Sequence, residues 1–510
     1  MTGNPTGPTR RCSKPTDSTS GFTYDPASSS ADEFINHEEI MDTLEFAQEH
    51  KGDIGLCHRI LEKAERNLHP SREHGTIIDH REAAVLLACD DAEMDKRIRA
   101  LAKRIKRAYY GNRIVLFAPL YLSNHCINGC LYCPYHSANK EIPRRKLSQE
   151  EIAREVRALQ DMGHKRLAIE AGEDPYHNPL DYILESIETI YGVRSKNGSI
   201  RRVNVNIAAT TEDDYSRLKD AGIGTYILFQ ETYRRSSYEK LHPSGPKSDY
   251  AWHTEAHDRA MRSGIDDVGL GVLFGLESHD YELVGLLMHA EHLETAFGVG
   301  PHTISVPRVK PADDIDPDAF DNGVPDALFE KIIAVIRIAV PYTGMIISTR
   351  EDETVRKAAL ELGISQISGG SRTSVGGYID EERPHDTEQF DVSDQRSLDE
   401  VIGWLLSNGH IPSFCTACYR EGRTGDRFME FCKNGLIGDY CRPNALLTLQ
   451  EYLCDYASPE VAGLGSRLIE GEIASLRDEH RPTSRGAAMP TRLERALDAI
   501  RREGVRDLRF

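Results

Sequence analysis

Leu122-Ser-Asn-His-Cys-Ile-Asn-Gly-Cys-Leu-Tyr-Cys-Pro-Tyr135 places Cys126, Cys130 and Cys133 on one short loop, spaced C-x3-C-x2-C. Three thiolates so close in sequence can hold three irons of a cubane iron–sulfur cluster and leave the fourth iron open to a substrate or cofactor. The alternative is a zinc knuckle or three buried thiols. Zinc sites usually recruit four ligands with C-x2-4-C pairs, and this loop carries three cysteines.

Outward from the loop, short β-rich runs alternate with helical patterns. The runs are 114–120, 167–170, 203–208, 225–230, 268–274, 303–307, 345–349 and 366–369. Helical patterns between them cover 149–162, 212–221, 250–263, 281–297 and 327–340. Eight such strands predict an α/β fold of the (β/α)8 barrel type, with a doubly wound open sheet as the alternative. Before the first strand, 39–50, 54–67, 81–88 and 91–109 read as helices covering the barrel. The expected organisation is a disordered tail at 1–35, a helical extension at 36–110, the barrel at 111–375 and a C-terminal domain and tail at 376–510.

Barrel active sites form at the carboxyl ends of the strands, where the cysteine loop falls. Other expected strand ends are also polar. They include Ala171-Gly172-Glu173-Asp174-Pro175, Gln230-Glu231-Thr232-Tyr233, Ser305-Val-Pro-Arg308, Ser348-Thr349-Arg350-Glu351 and Gly369-Gly370-Ser371-Arg372. Guanidinium forks match carboxylates, so Arg308 and Arg350 are candidates for a carboxylate-bearing ligand; the alternative is a salt bridge to a nearby Glu.

A net charge of −19 argues against a nucleic-acid surface. No apolar run has the length of a membrane span. Eleven cysteines in 510 residues are too sparse for a disulfide scaffold, and six fall into two groups, which reads as metal chemistry in a reducing compartment. Residues 1–34 are rich in Ser, Thr, Pro and Gly and read as a disordered tail or a short transit segment. The compartment is therefore expected to be the cytoplasm, or an organelle matrix if that tail is an address, in either case reducing and anaerobic.

The second group is Cys415, Cys418 and Cys441, spaced C-x2-C-x22-C after an expected helix at 397–407. That helix returns from the catalytic face, so the group should emerge at the opposite end of the barrel. The alternative is structural zinc with Cys432 as fourth ligand. Cys12, Cys57, Cys89 and Cys454 read as ordinary thiols.

The first motif, with Tyr132 before its last cysteine and Gly172-Glu173 at the second strand end, resembles the radical S-adenosylmethionine (SAM) enzymes. The resemblance narrows at 411–428 and 441–453, at Phe229-Gln-Glu-Thr-Tyr233 and at Pro301-His-Thr-Ile-Ser-Val-Pro-Arg308, which are similar to HydG-type [FeFe]-hydrogenase maturases. It covers roughly residues 40–460. It implies a [4Fe–4S] cluster on Cys126, Cys130 and Cys133, with SAM near Tyr132, Gly172 and Glu173. The Gly369-Gly370 loop would meet SAM or serve backbone packing. Gln230, Arg308 and Arg350 would join Glu173 as catalytic candidates. The implied reaction cleaves L-tyrosine to p-cresol and dehydroglycine, then forms CO and cyanide. A second iron–sulfur cluster would sit on Cys415, Cys418 and Cys441 with an extra iron, free cysteine and a histidine. His289 and His292 are the candidates, and His292 is preferred. The product would be an Fe–CO–CN–cysteine synthon. Implied partners are SAM, L-tyrosine, cysteine, iron, a ferredoxin- or flavodoxin-like reductant and other hydrogenase maturation proteins. Two alternatives remain: a 2-iminoacetate synthase of thiazole biosynthesis with a structural C-terminal metal, and a non-catalytic two-cluster electron carrier.

Overall fold

The structure is a computed structural model that describes residues 23–66, 68, 77–379, 387–425, 427, 437–479 and 489–510. Its centre is a ring of eight parallel strands: β1 (Arg113–Ser123), β2 (Arg166–Ala171), β3 (Arg202–Asn206), β4 (Tyr226–Ile227), β5 (Val268–Gly271), β6 (Thr303–Ser305), β7 (Gly344–Ile347) and β8 (Gln366–Ser368). Parallel pairing of β8 with β1, with Val115 opposite Gln366, closes the ring. That closure excludes the open-sheet alternative.

The eight strands fall where the β-rich runs predict them; β1 and β2 run longer than expected, and β3 to β8 end sooner. β4 ends at Ile227, so Gln230 lies beyond it. The expected helix at 250–263 is two helices, Tyr250–Thr254 and Ala256–Arg262. Two features were not anticipated. One is a small antiparallel hairpin pairing Arg194–Ser195 with Gly198–Ser199. The other is β9 (Ile411–Ser413), which adds in parallel to the lower end of β1, with Arg113 opposite Ile411.

Local chemistry explains the alternation. Helix Gln149–Met162 begins at a capping box in which Ser148 and Glu151 satisfy each other's backbone N–H groups. It stops at Gly163, whose φ of +105° favours glycine. Leu116, Leu167, Ile169 and Val203 are fully buried on the strand face turned to the surrounding helices, and the alternate residues Phe117, Pro119, Ala168 and Ile227 line the barrel interior.

The N-terminal helices brace the outside of helix His279–Phe297. His80 is the joint: Nε2 meets Glu39 at 2.9 Å, and Nδ1 meets Glu291 at 2.7 Å. At the lower rim, Lys165 and Glu451 form a fully buried ion pair at 2.6 Å that ties the barrel to helix Ile437–Asp455.

Burial alone would lower the pKa of His80, but hydrogen bonds to Glu291 and Glu39 carry it up to about 9. Its unfolded value is about 6.5. A raised histidine pKa stabilises the fold fully below the unfolded value, and that stability is lost as pH rises through about 9. His80→Gln should therefore lower the thermal midpoint by a few degrees near pH 6. The gap to the unmodified chain should shrink by about pH 9.5 in parallel melts. A gap independent of pH would show that His80 acts by packing alone.

Candidate active site and second cysteine site

The upper site forms where β1 and β2 end. Past Ser123 the chain enters the cysteine loop, which is held by backbone bonds from Gly129 N to Ser244 O (2.9 Å) and from Leu131 N to Leu241 O (3.0 Å). Gly172 N donates to Ser123 O at 3.0 Å, bringing the second strand end against the loop. A Cβ on Gly172 would lie 2.4 Å from the His125 carbonyl oxygen and 3.0 Å from Cys126 Cβ, so the two loops touch only because that residue is glycine.

Cys126, Cys130, Cys133, Tyr132, Gly172 and Glu173 line one cavity of about 1150 Å³, open mouth included. Burial raises the thiol pKa values, to about 12 for Cys130 and about 11 for Cys133. Tyr132 is buried with its hydroxyl 2.7 Å from His242 Nε2. Asn128 Nδ2 donates to Glu173 Oε2 at 2.6 Å, and burial raises the Glu173 pKa despite this contact and nearby Lys247.

The cavity continues into the barrel, where a second chamber shares Tyr121, Glu170, Asn206, Arg350 and Gln389 with the first. The Arg350 guanidinium lies 3.6 Å from the centre of the Phe390 ring and forms no ion pair among the described residues. Burial lowers its pKa. Burial also raises the pKa of Glu170 to about 8, against the opposing pull of Arg350 and Asn206.

Other expected site residues lie elsewhere. Arg308 is not in the cavity wall. It pairs with Glu351 (Nε to Oε1, 2.9 Å) and Asp326 (2.8 Å), the structural salt bridge weighed as its alternative. Gln230 turns away and donates to Thr254 Oγ1 at 2.9 Å. Its neighbour Glu231, at φ +68°, lines the cavity instead and pairs with Lys247 at 2.8 Å. Gly369 and Gly370 serve packing: Cβ atoms there would meet Leu398 at 3.4 Å and Met162 at 2.7 Å. Lys247, Glu231, Glu170 and Asn206 were missed by sequence reasoning. Lys247 follows Gly245-Pro246, a turn signal that could have marked a loop over the site.

Cys415, Cys418 and Cys441 line a separate cavity at the lower end, with Arg113, Arg166 and His302 from the starts of the strands. The two cysteine groups thus bracket the barrel. Arg166 Nη2 donates to Cys415 O at 2.9 Å. Cys441, hydrogen-bonded to Cys418 and faced by Arg113 and Arg423, has its pKa lowered. Cys432, the fourth ligand of the zinc alternative, lies outside the described residues.

His292 is not at this cavity. Its Nδ1 is 2.9 Å from Pro26 O, its Nε2 is 3.0 Å from Asp258 Oδ1, and its ring stacks on Phe34. His289 meets the Tyr233 hydroxyl at 3.0 Å. Both belong to the outer layer, because their helix faces the N-terminal segment. The histidine beside the cysteines is His302, whose Nε2 is 2.6 Å from the Tyr419 hydroxyl.

The donor sets fit iron–sulfur clusters. A single zinc ion with bonds of about 2.3 Å cannot hold two sulfurs more than about 4.6 Å apart. In neither group do all three sulfurs lie within 4.8 Å of one another. Cluster thiolates end on separate irons and so stand further apart.

A closed parallel barrel with three thiolates at the end of its first strand, a glycine-backed carboxylate beside them and an open interior defines a radical SAM enzyme. Residues 120–287 match the radical SAM superfamily, and residues 305–411 match the biotin and thiamin synthesis associated domain. The 2-iminoacetate synthase of Escherichia coli (strain K12) is 32% identical over 315 residues, 61% of this chain and 80% of that one. A crystal structure of HydG, a maturase of the [FeFe]-hydrogenase, is 51% identical with a TM-score of 0.87, covering 94% of this chain and 100% of that one. The HydG maturase from Carboxydothermus hydrogenoformans is 38% identical with a TM-score of 0.77, covering 92% and 99%. The chain belongs to the radical SAM superfamily and, within it, to the HydG-type [FeFe]-hydrogenase maturases. Membership implies SAM, a [4Fe–4S] cluster and an external reductant. No described helix is long and apolar enough to cross a membrane.

Gly172→Ala should displace the cysteine loop, because its new Cβ meets backbone rather than a movable side chain. After anaerobic reconstitution we expect iron content at the upper site to fall, or SAM affinity to drop by about tenfold or more. Unchanged iron and unchanged SAM binding would show that the loop yields without cost.

Proposed function

We propose that the protein cleaves L-tyrosine to p-cresol and dehydroglycine at the upper site. At the lower site it then converts the small fragment to CO and cyanide, building an Fe–CO–CN–cysteine synthon for [FeFe]-hydrogenase assembly. One observation carries the reading: two three-cysteine sites occupy the two ends of one closed barrel, with the Arg350 guanidinium, which has no ion-pair partner among the described residues, in the chamber below the upper one. The relatedness to 2-iminoacetate synthase and HydG supports it.

Cys126, Cys130 and Cys133 would hold a [4Fe–4S] cluster, which when reduced would supply the electron that splits SAM into methionine and the 5′-deoxyadenosyl radical. A ferredoxin or flavodoxin is the source of that electron. The chain's own residues bind and orient. Glu173 would offer its carboxylate to the ammonium of SAM, whose positive charge would oppose the effect of burial on its pKa. Arg350 offers the fork that a tyrosine carboxylate needs. Glu170, Asn206 and Gln389 supply polar contacts around it. The barrel wall keeps water from dehydroglycine, which hydrolyses readily.

At the lower end, Cys415, Cys418 and Cys441 would hold the second cluster. His302, braced by Tyr419, takes the role of iron ligand that His292 cannot fill. Imidazole suits iron. Iron and free cysteine enter as substrates, and other maturation proteins receive the product. The same reading keeps 1–35 as tail, 36–110 as helical cover, 111–375 as barrel and 376–510 as the domain of the second site. It places the chain in cytoplasm or an organelle matrix.

Arg350→Gln should lose p-cresol formation at least about tenfold at fixed tyrosine while SAM cleavage continues. Full p-cresol yield would assign the carboxylate to another group.

Cys418→Ala separates the two halves of the reading. It should still make p-cresol, measured by chromatography, but yield little CO, trapped with deoxyhaemoglobin. Unchanged CO would make the lower site structural and leave a plain 2-iminoacetate synthase.

A further inference from the structure

Six large apolar or aromatic side chains stand exposed among the described residues, and three of them gather on the upper cysteine loop and the turn beside it. Ile127 (40% exposed) directly follows Cys126, and Leu131 (51%) directly follows Cys130. Tyr176 (86%) lies in the turn past Glu173. Such side chains scattered singly need no explanation, whereas a group of them on one surface marks contact with a partner.

Backbone and ring contacts join the three. Ile127 N donates to Glu173 O at 2.8 Å, which sets Ile127 beside the Tyr176 turn. The Tyr176 ring meets His177 edge-on at 4.9 Å, and His177 stacks on His125 at 4.0 Å, one residue before Cys126. Leu131 N donates to Leu241 O at 3.0 Å, at the end of helix Arg235–Leu241. A strip thus runs from Tyr176 over the loop to Leu131.

Cations border the strip. Residues 124–147 carry four Lys or Arg against one Asp or Glu, and residues 234–248 likewise carry four against one, in a chain whose net charge is −19. Several of these cations have neutral partners and no ion pair among the described residues. Lys146 donates to the His177 carbonyl beside Tyr176. Arg144 donates to the carbonyls of Asn124 (2.7 Å) and Tyr135 (2.8 Å). Lys240 stands exposed next to Leu241. Of the nearby carboxylates, Glu239 is taken by Arg235 (3.1 Å) and Asp174 by His177 (2.7 Å).

We propose that this strip is the docking surface for the external electron donor, an electron-transfer protein with an acidic face around its redox centre. Positive charge on an otherwise acidic chain draws such a face to this spot and orients it. Ile127 and Leu131 each adjoin a cysteine that would hold the upper cluster, so a donor seated on them is separated from it by the loop alone. At the opposite end of the barrel the whole length of β1 intervenes. A small apolar strip with a charged border suits a partner that must leave after each electron. The inference deepens the electron source named above. It does not depend on the tyrosine reading, because SAM cleavage itself is measured.

The test uses the full chain with its clusters reconstituted. Formation of 5′-deoxyadenosine is followed with reduced flavodoxin or reduced ferredoxin, both acidic, as electron source, and in parallel with dithionite. Tyr176→Ala/Lys240→Glu should cut the rate at limiting carrier by about tenfold, recover at high carrier, and leave the dithionite rate unchanged. Lys240→Arg should behave as the unmodified chain. Three results would overturn the proposal: neither carrier serves the unmodified chain, the double variant matches it at limiting carrier, or the dithionite rate falls equally. A double variant that sediments as a monomer where the unmodified chain is a dimer would assign the strip to a second copy instead and likewise overturn it.

Discussion

The molecule depends on the pairing of β1. This strand runs eleven residues, Arg113 to Ser123, against three to six in its best-formed neighbours. It pairs with β2 at its upper end and with both β8 and β9 at its lower end. At about 3.3 Å per residue it spans roughly 35 Å. Its first residue, Arg113, lines the lower cavity beside Cys441, and three residues past its last stands Cys126. The separation between the two cysteine sites is therefore set by one hydrogen-bonded strand rather than by a linker. β9 adds to this by pairing with the start of β1, which delivers Cys415 to the lower rim two residues beyond its own end.

Much of this was legible because local and global signals agree. β-rich runs, capped amphipathic helices and glycine stops all point to one alternating fold. The lower placement of Cys415 and Cys418 followed from direction alone, since a strand that rises to one face must be followed by a helix that returns. What failed was lateral placement. Helix His279–Phe297 does run the length of the barrel, but His292 projects outward onto Phe34 and Asp258. His302 reaches the lower cavity because it directly precedes β6, where a side chain can turn inward under the barrel.

The rim arginines failed for a related reason. In sequence, Glu351 adjoins Arg350 and is the neighbouring carboxylate that a salt-bridge reading selects. In the barrel, strand ends meet their neighbours sideways, so Glu351 pairs with Arg308 from the adjacent strand end and leaves its sequence neighbour without an ion pair among the described residues. Gln230 and Glu231 exchange roles through a single backbone angle. The positive φ at Glu231 turns its carboxylate to the cavity and Gln230 to Thr254, and no glycine marks that position in the sequence. Such cross-strand and left-handed placements carry no periodic signal.

The charges of the upper cavity follow from these placements. Lys247 and Glu231 neutralise each other close to the cysteine loop, and Lys247 remains the cation facing the thiols. Deeper in, burial holds Glu170 near protonation at neutral pH, its pKa raised to about 8, so it is a weak counter-ion for Arg350. Arg350 is left as a buried cation stacked on Phe390 with no anionic partner among the described residues. A charge without a partner in such surroundings is costly, and a carboxylate that binds beside it relieves that cost. In the proposed reaction that carboxylate belongs to tyrosine. The same imbalance makes the chamber selective for an anion, at a point in the barrel from which, under the proposed function, the fragment would travel down to His302 and the second thiolate set.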